Sequence, residues 1–543
     1  MAEAGAHSTE HKANIVESIV TPAVPDCSLC RRIDGSGTLP KRLIVCCDGT
    51  FNASNQGVES NPTNIARLSR CIANVGYAKD GKTKMPQITY YQAGIGTDTT
   101  ASAYTKARQG GFGAGLNGKV CEAYNYITNN YGPGDELFIF GFSRGAYTAR
   151  VLASFICNFG LLTPGMMEDY FDEIFEAYKK RGYSEHNFEE MAWARAKATP
   201  GELGLELNSP PTTRYDCIKR WTHMHVKIKC VGVFDTVGSV GMSGYQQQPG
   251  QDIDWHSTAL HPKIEYAFQA LALDENRGNF SPTLWYQYDQ TEAAGTVLKQ
   301  CWFPGYHGDV GGHSDPVWCT NSVDSLSFAW MIDQLTAENL LQFSKPQLYY
   351  PVLKRVHEGV VNAVATKAPK NTEEASERRI QWSDGVLTQT NKLTYKFSSF
   401  VATRRLWYTR TPGHWKMANG ADVPVCQLHE TIHPSVSHRM RQKELEYQPE
   451  GFSKKEWQYR AKPNGSGHEW VRTVDGKEIA VIPEYELLNI EKQKFENHNL
   501  WSGSLEAYLA PADVLGTEKF DSLKADVIEQ GKVLHAAFQL RNE

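Results

Sequence analysis

The chain has 543 residues, of which 41% are hydrophobic and 22% are charged. Its 45 glycines bring the apolar total close to the globular norm, and 56 basic against 61 acidic residues give a formal net charge of −5. This composition excludes a disordered, collagen-like or coiled-coil chain, and the mild acidity argues against nucleic acid as a partner. The longest apolar runs are far shorter than the roughly 18 residues that a membrane span needs.

The cysteines and the N-terminal residues indicate a reduced, cytoplasmic protein. No basic region followed by an apolar stretch marks a secretory signal. Twelve cysteines are too few for a disulfide scaffold, and Cys46, Cys47 and Cys230 lie in strand-like apolar runs typical of buried thiols. Cys27 and Cys30 form a CxxC pair without a second pair at zinc-site spacing. We therefore expect no metal and no cofactor.

Along the chain, apolar runs typical of buried strands alternate with segments of helical periodicity. Strands are predicted at 43–47, 136–142, 226–234 and 297–303. Helices are predicted at 64–75, 119–129, 144–159, 264–273 and 326–335. This alternation predicts the α/β class, with a mainly parallel sheet that carries helices on both faces.

Composition divides the chain into three parts. Residues 1–38 are polar and rich in Pro, Gly and Ser, as expected of a mobile tail. Residues 39–345 form the α/β catalytic domain, interrupted by a charged insertion at 166–222 above the sheet. Residues 346–543 are a C-terminal extension, an accessory region. The insertion or the extension is a candidate lid.

The strongest chemical signal is the G-x-S-x-G motif at residues 141–145. An apolar strand precedes it and an amphipathic helix follows, which is the context of a nucleophile elbow. Ser143 is therefore the candidate nucleophile, and the backbone N–H of Arg144 is half of a candidate oxyanion hole. The alternative is a glycine-rich turn with an incidental serine.

A nucleophilic serine needs a base and a carboxylate, which follow in the order Ser, Asp, His in this type of fold. Asp235 comes at the end of a predicted strand, and His307 comes shortly after the next one. The alternatives are a turn cap for Asp235 and an ordinary loop histidine for His307. His433 and His313 remain competing candidates for the base.

Residues 48–50 follow the first strand, beside the expected elbow. Gly49 or Thr50 would supply the second oxyanion donor; the alternative role for Asp48 is only to order the loop by accepting backbone N–H groups. Asp48, Asp309 and His433 are candidates for supporting roles. Residues 113–119 match G-x-x-x-x-G-K, but Val120 stands where a phosphate loop needs Ser or Thr, so nucleotide binding is not expected.

Several ordered blocks resemble the α/β-hydrolase domain shared with type VI secretion phospholipase effectors, over roughly residues 41–340. The blocks are CDGTFN (47–52), NPTNIARL (61–68), YYQAGIGT (90–97), 110–118, 131–153, GVFDTVGSVG (232–241), LDENRGNFSPTLW (273–285) and HGDVGG (307–312). The resemblance implies an α/β-hydrolase-like fold and a Ser-Asp-His lipolytic esterase whose motifs fall on Ser143, Asp235 and His307. It also implies hydrolysis of phospholipid acyl esters, as in the characterised effectors.

The expected function is therefore a serine hydrolase that cleaves acyl esters through an acyl-enzyme intermediate. The expected partner is an acyl-ester or phospholipid substrate, with peripheral membrane contact and without nucleic acid. Two alternatives stay open: a thioesterase, small-ester or peptide hydrolase, and a scaffold that uses the fold only for binding. The sequence does not fix the oligomeric state.

Overall fold

A computed structural model gives the structure of the protein. It describes residues 40–49, 52, 62–94, 112–180, 195, 213–238, 259–312, 323–344, 387, 409–417, 420–452 and 456–488. The predicted tail, Thr50 and His313 lie outside the described residues.

The described secondary structure comprises strands and helices that we number in chain order. The strands are β1 (Arg42–Cys47), β2 (Val75–Tyr77), β3 (Lys84–Gln92), β4 (Glu136–Phe142), β5 (Leu161–Leu162), β6 (Thr222–His223), β7 (Ile228–Phe234), β8 (Ile264–Ala272), β9 (Val297–Phe303), β10 (Glu430–Ile432), β11 (Trp457–Ala461), β12 (His468–Val474) and β13 (Lys477–Pro483). The helices are α1 (Asn64–Cys71), α2 (Phe112–Asn130), α3 (Ser143–Phe159), α4 (Met167–Lys180), α5 (Arg214–Lys219), α6 (Asp289–Ala293), α7 (His307–Gly311), α8 (Asp324–Ala337), α9 (Val425–Leu428) and α10 (Pro434–Arg441).

The centre of the fold is an eight-stranded sheet in the order β10-β9-β8-β7-β4-β1-β3-β2. Its pairs are parallel except for the edge hairpin of β2 and β3. The register aligns Phe142, the last residue of β4, with Phe234, the last residue of β7. Residues that directly follow these two strands therefore emerge side by side at the carboxyl edge of the sheet.

Helices cover both faces of this sheet, as predicted. Successive side chains of a strand point to opposite faces, and β1 follows this rule: Leu43 and Val45 pack in one buried cluster, Ile44 and Cys46 in another. The first cluster includes side chains of α2, α3 and α4, and the second includes side chains of α1 and α8. The α/β-hydrolase-like class is thereby confirmed.

One predicted element has the wrong type. Residues 264–273 were expected to be a helix but form β8, which hydrogen-bonds to β7 on one side and β9 on the other. Its interior residues are buried on both faces of the sheet, so its sequence is nearly continuously apolar rather than alternating. Such a run, here rich in alanine, cannot be separated from a buried helix by periodicity alone.

Two further segments differ from expectation. Helix α1 ends at Cys71, because Ile72 is already extended and β2 begins at Val75. Helix α2 begins at Phe112 rather than at the predicted residue 119, so the phosphate-loop match at 113–119 falls within a helix.

The described part of the predicted insertion 166–222 is packed into the core. On α4, Phe171 and Phe175 stack against each other and contact Phe155 of α3 edge-on. Residues 181–194 and 196–212 of the insertion lie outside the described residues.

The C-terminal extension contributes an edge strand to the main sheet. Strand β10 pairs in parallel with β9, and Trp302 Nε1 donates to the buried carboxylate of Glu430 at 2.7 Å. An antiparallel sheet of β11, β12 and β13 packs beside it through Trp470 and Ile482. This part of the extension is thus built into the hydrolase-like domain.

Asp274, just after β8, fastens the turn that leads into α7. Its Oδ2 accepts the N–H of Gly305 at 2.6 Å and the hydroxyl of Tyr447 at 2.8 Å. Burial raises the pKa of Asp274 to about 7, against an ordinary value near 3.8, although both donors and Arg439 oppose the shift.

The raised pKa of Asp274 predicts a pH-dependent loss of stability. Between about pH 4 and 7 the folded state keeps a proton that the unfolded chain has released, so stability falls as pH rises through this window. Asn can accept the same two hydrogen bonds without ionising. We expect the denaturation midpoint of Asp274→Asn, relative to wild type, to rise between pH 4.5 and 7 and then level off. A midpoint difference that is independent of pH would contradict this assignment.

The second glycine of the G-x-S-x-G motif permits close packing of α3 on β1. A β-carbon at Gly145 would lie 2.3 Å from the carbonyl oxygen of Asp48 and 2.4 Å from that of Cys47. Both neighbours are backbone atoms, so they cannot move aside by changing a rotamer.

We therefore expect Gly145→Ala to reduce the free energy of unfolding by roughly 1–3 kcal/mol, as in other overpacked cores. Gly118→Ala is the matched control, because a β-carbon at this exposed position of α2 meets nothing within 4 Å. The control should be neutral or stabilising by up to about 1 kcal/mol. Urea denaturation of both variants measures the difference, and equal effects would refute the packing argument.

Candidate active site

Ser143 lies in a strained turn between β4 and α3. It has a backbone φ of 58°, a left-handed conformation that is uncommon for a residue other than glycine. The turn is tight, since a β-carbon on Gly141 would lie 2.5 Å from the carbonyl oxygen of Gly145. The serine is buried, with 6% of its surface exposed. This is the backbone geometry of a nucleophile elbow.

The structure brings together the three residues that the sequence singled out. His307 Nε2 is 2.8 Å from Ser143 Oγ, and His307 Nδ1 is 2.5 Å from Asp235 Oδ2. The sheet register explains the meeting, since Ser143 follows β4, Asp235 follows β7, and His307 begins α7 after β9. The alignment links hydroxyl, imidazole and carboxylate in one continuous hydrogen-bonded chain.

Asp235 is completely buried and accepts hydrogen bonds from several donors. Its own backbone is left-handed, with φ 41°, and its N–H donates to Ala270 O at 2.7 Å. Besides His307, the carboxylate accepts the N–H of Ala272 at 2.9 Å. Arg410 donates to both oxygens, at 2.5 Å to Oδ1 and 3.0 Å to Oδ2. A carboxylate held by this number of donors has one orientation.

These contacts set the pKa values of Asp235 and His307. Burial alone would raise the pKa of Asp235, but the charge of Arg410 and the hydrogen bonds from His307 and Arg410 hold it well below its usual range. Burial lowers the pKa of His307, an effect that outweighs the opposing attraction of Asp235 and Glu275. The carboxylate is therefore ionised and the imidazole neutral near pH 7.

Aromatic rings contact the imidazole of His307, and an acidic side chain binds its backbone N–H. Its ring lies between those of Phe142 and Phe280, at centroid distances of 4.8 and 4.9 Å. Glu275, whose Oε2 accepts the backbone N–H of His307 at 3.3 Å, is itself bound by Arg277 through two side-chain contacts of 2.7 and 2.8 Å. Burial opposes ionisation of Glu275, but Arg277 outweighs it and lowers the pKa of this carboxyl group.

Asp309, a predicted supporting residue, caps the helix that begins at His307. Its Oδ2 accepts the backbone N–H of Tyr306 at 2.8 Å. The carboxylate therefore acts on the orientation of α7 and on the position of His307.

The predicted oxyanion donors have different environments. Arg144 is the second residue of α3, so its backbone N–H lies in the first turn, at the positive end of the helix dipole. The N–H of Gly49 donates to Asp48 Oδ1 at 2.7 Å in this structure, and its role as an oxyanion donor stays a prediction. Thr50 lies outside the described residues.

By accepting the N–H of Gly49, Asp48 orders the loop that follows β1. The other oxygen of this carboxylate accepts the hydroxyl of Thr63 at 2.8 Å and that of Tyr91 at 2.5 Å. Asp48 thus joins the end of β1 to α1 and β3.

His433, the competing candidate for the base, occupies a different environment. It precedes α10, stacks on Phe303 at 4.7 Å, and its Nδ1 accepts the N–H of Ser435 at 3.2 Å. Burial lowers its pKa to about 3. His307, rather than His433, contacts Ser143; His313 lies outside the described residues.

Arg410 and Glu275 were not anticipated from the sequence. Arg410 lies 175 residues from Asp235 in the chain and carries no motif, so only the folded structure reveals the contact. Glu275 occurs in the LDENRGNF block, where an adjacent acid and base hint at a local ion pair.

Among the described residues there is neither a metal-ligand cluster nor a membrane-spanning helix. No group of three or more His, Cys, Asp or Glu side chains there is placed to hold a metal ion. Within the same residues, every helix is too short or too polar to cross a membrane.

Comparison with known proteins identified a fungal relative and a bacterial structure. The uncharacterised protein YEL023C of Saccharomyces cerevisiae is 30% identical over 252 residues, which is 44% of this chain. The alignment spans about a third, 32%, of that protein's length. A crystal structure of an uncharacterised protein from Pseudomonas aeruginosa matches 63% of this chain and 53% of its own, with 14% identity and a TM-score of 0.31.

The family model for the catalytic domain of T6SS Tle1-like phospholipase effectors matches residues 41–334, more than half of the chain. The matched range includes Ser143, Asp235 and His307. The chain therefore belongs to the family of T6SS phospholipase effector Tle1-like catalytic domains.

Proposed function

We propose that the protein is a serine hydrolase that cleaves acyl esters, with phospholipids as the substrate class. The observation that carries the proposal is the continuous chain from Ser143 through His307 to Asp235, with contacts of 2.8 and 2.5 Å. Membership of a phospholipase effector family supports the lipid substrate.

In the first half-reaction, Ser143 Oγ attacks the ester carbonyl while His307 Nε2 takes its proton. Asp235 holds the Nδ1–H tautomer and stabilises the imidazolium that forms. His307 then returns the proton to the departing alcohol, which leaves an acyl group on Ser143. The lowered pKa of His307 keeps the imidazole neutral, and hence able to accept the proton, at neutral pH.

Charge develops on the carbonyl oxygen during attack, and the first turn of α3 is the source of stabilisation. The N–H of Arg144 donates to this oxyanion, helped by the positive end of the helix dipole. The second half-reaction repeats the cycle with water as the nucleophile, activated by His307, and releases the fatty acid.

Covalent labelling by a fluorophosphonate probe requires an activated serine and therefore tests the proposal. Wild type should be labelled, and Ser143→Ala and His307→Ala should lose labelling by a factor of about 10³ or more, because each removes a member of a cooperating unit. His433→Gln is the matched control, since this buried histidine contacts Phe303 and Ser435 rather than Ser143. Labelling that survives in His307→Ala and disappears in His433→Gln would assign the base to His433.

The rate of that labelling should also depend on pH. Protonation of His307 removes the base, so the rate should fall on the acid side, with its midpoint below the ordinary histidine pKa of about 6.5. Second-order labelling rates between pH 4.5 and 9 locate this midpoint, with circular dichroism confirming an intact fold at each pH. A midpoint above pH 7 would contradict the proposed environment of His307.

A further inference from the structure

Arg410 reaches the candidate active site from a part of the chain beyond the family-matched domain. It belongs to the C-terminal region, whereas the family match ends at residue 334. Its side chain is completely buried and faces the carboxylate of Asp235. Burying a charge costs free energy unless the charge is paired and hydrogen-bonded, so the burial of Arg410 points to a specific role for its contacts.

The guanidinium makes four hydrogen bonds with its two terminal nitrogens. Nη1 donates to Asp235 Oδ1 at 2.5 Å and to Ala272 O at 2.6 Å. Nη2 donates to Asp235 Oδ2 at 3.0 Å and to Phe280 O at 2.6 Å. The planar fork thus holds both carboxylate oxygens while anchored to two backbone carbonyls, a geometry that a lysine cannot reproduce.

Building on the proposed hydrolase, we propose that Arg410 is a positioning residue of the reaction. It fixes the carboxylate plane of Asp235, so that Oδ2 meets His307 Nδ1 and the imidazole faces Ser143. The C-terminal region is then a required part of the active site, in addition to the family-matched domain.

The contacts argue for positioning rather than for packing alone. Asp235 Oδ2 is shared between Arg410 Nη2 and His307 Nδ1, so a rotation of the carboxylate that weakens one bond disturbs the other. The carbonyl of Phe280 provides a second connection, because the ring of the same residue lies against the His307 imidazole. Arg410 therefore restrains both Asp235, which accepts the hydrogen bond of His307 Nδ1, and Phe280, whose ring packs against the imidazole.

The charge of Arg410 adds an effect that can be measured separately. Among the described residues, the ionisable groups that act on the His307–Asp235 pair are Arg410 itself, Glu275 and Arg277. Removing a positive charge favours protonation of both members of the pair, whichever member binds the proton. The acid side of the labelling profile should therefore move to higher pH when the charge of Arg410 is lost.

The test is the second-order rate of fluorophosphonate labelling of the full chain between pH 4.5 and 9. Arg410→Met removes the charge and the fork, and we expect about a 10²-fold lower plateau and an acid midpoint raised by about one pH unit. Arg410→Lys keeps the charge but loses the fork, so the plateau should fall while the midpoint stays at the wild-type value.

Arg42→Met is the matched control for loss of a buried, ion-paired arginine. Arg42 is also buried and bonds Glu136 at 2.8 Å, but it begins β1 at the opposite edge of the sheet. This variant should lower the denaturation midpoint without moving the acid midpoint of labelling.

The outcomes separate the two proposals. If wild type is labelled at Ser143 and Arg410→Met matches it in both plateau and midpoint, Arg410 has no positioning role and the hydrolase stands. Arg410 also has no positioning role if Arg410→Met and Arg42→Met lower the labelling rate equally and leave the acid midpoint unchanged. A loss of folded protein alone would lower the rate at every pH in this way. A folded wild type that is never labelled overturns the hydrolase, and the positioning role with it.

Discussion

A carboxylate that is removed from water needs partners for its charge and for its lone pairs, since an unpaired buried ion costs several kcal/mol. Asp235 is in this position, and its neighbours supply the partners: the N–H of Ala272, the guanidinium of Arg410 and the imidazole of His307. With all of these in place, the carboxylate has one orientation and one charge. In the proposed mechanism, the orientation of the His307 imidazole, and hence its contact with Ser143, depends on this carboxylate.

The sheet makes this arrangement possible by aligning chain segments that are distant in sequence. Strands β4, β7 and β8 are neighbours in register, so that Ser143, Asp235 and the donor at Ala272 emerge at one edge. The backbone at Ser143 and Asp235 is left-handed, a strain of about 1–3 kcal/mol per residue that the surrounding packing must offset. Close packing of α3 against β1, which only glycine at position 145 allows, contributes to that offset.

The sequence was informative wherever chemistry and chain order left a local pattern. The G-x-S-x-G motif predicted Ser143 as the nucleophile, and the order of acid and base after it predicted Asp235 and His307 as its partners. The structure places these side chains in one hydrogen-bonded chain. Strand β8 was misassigned because a strand buried on both faces lacks the alternation that reveals an exposed one. The hydrogen bond from the N–H of Gly49 to Asp48 could not be chosen from the sequence, since it depends on a side-chain conformation.

Arg410 illustrates what sequence reasoning cannot reach. It stands between two threonines, without periodicity, motif or neighbouring acid to mark it, and its partner is 175 residues away. The addition of β10 to the edge of the sheet joins the C-terminal region to the sheet that carries Ser143. A long-range contact of this kind is set by the whole topology rather than by any segment.

The most direct measurement is the identity of the residue that becomes covalently modified. After reaction with a fluorophosphonate, intact mass spectrometry should show one adduct per wild-type chain, and tandem mass spectrometry of the peptides should place it on Ser143. An adduct on another residue, or a folded protein that remains unmodified, would contradict the assignment of Ser143 as an activated nucleophile.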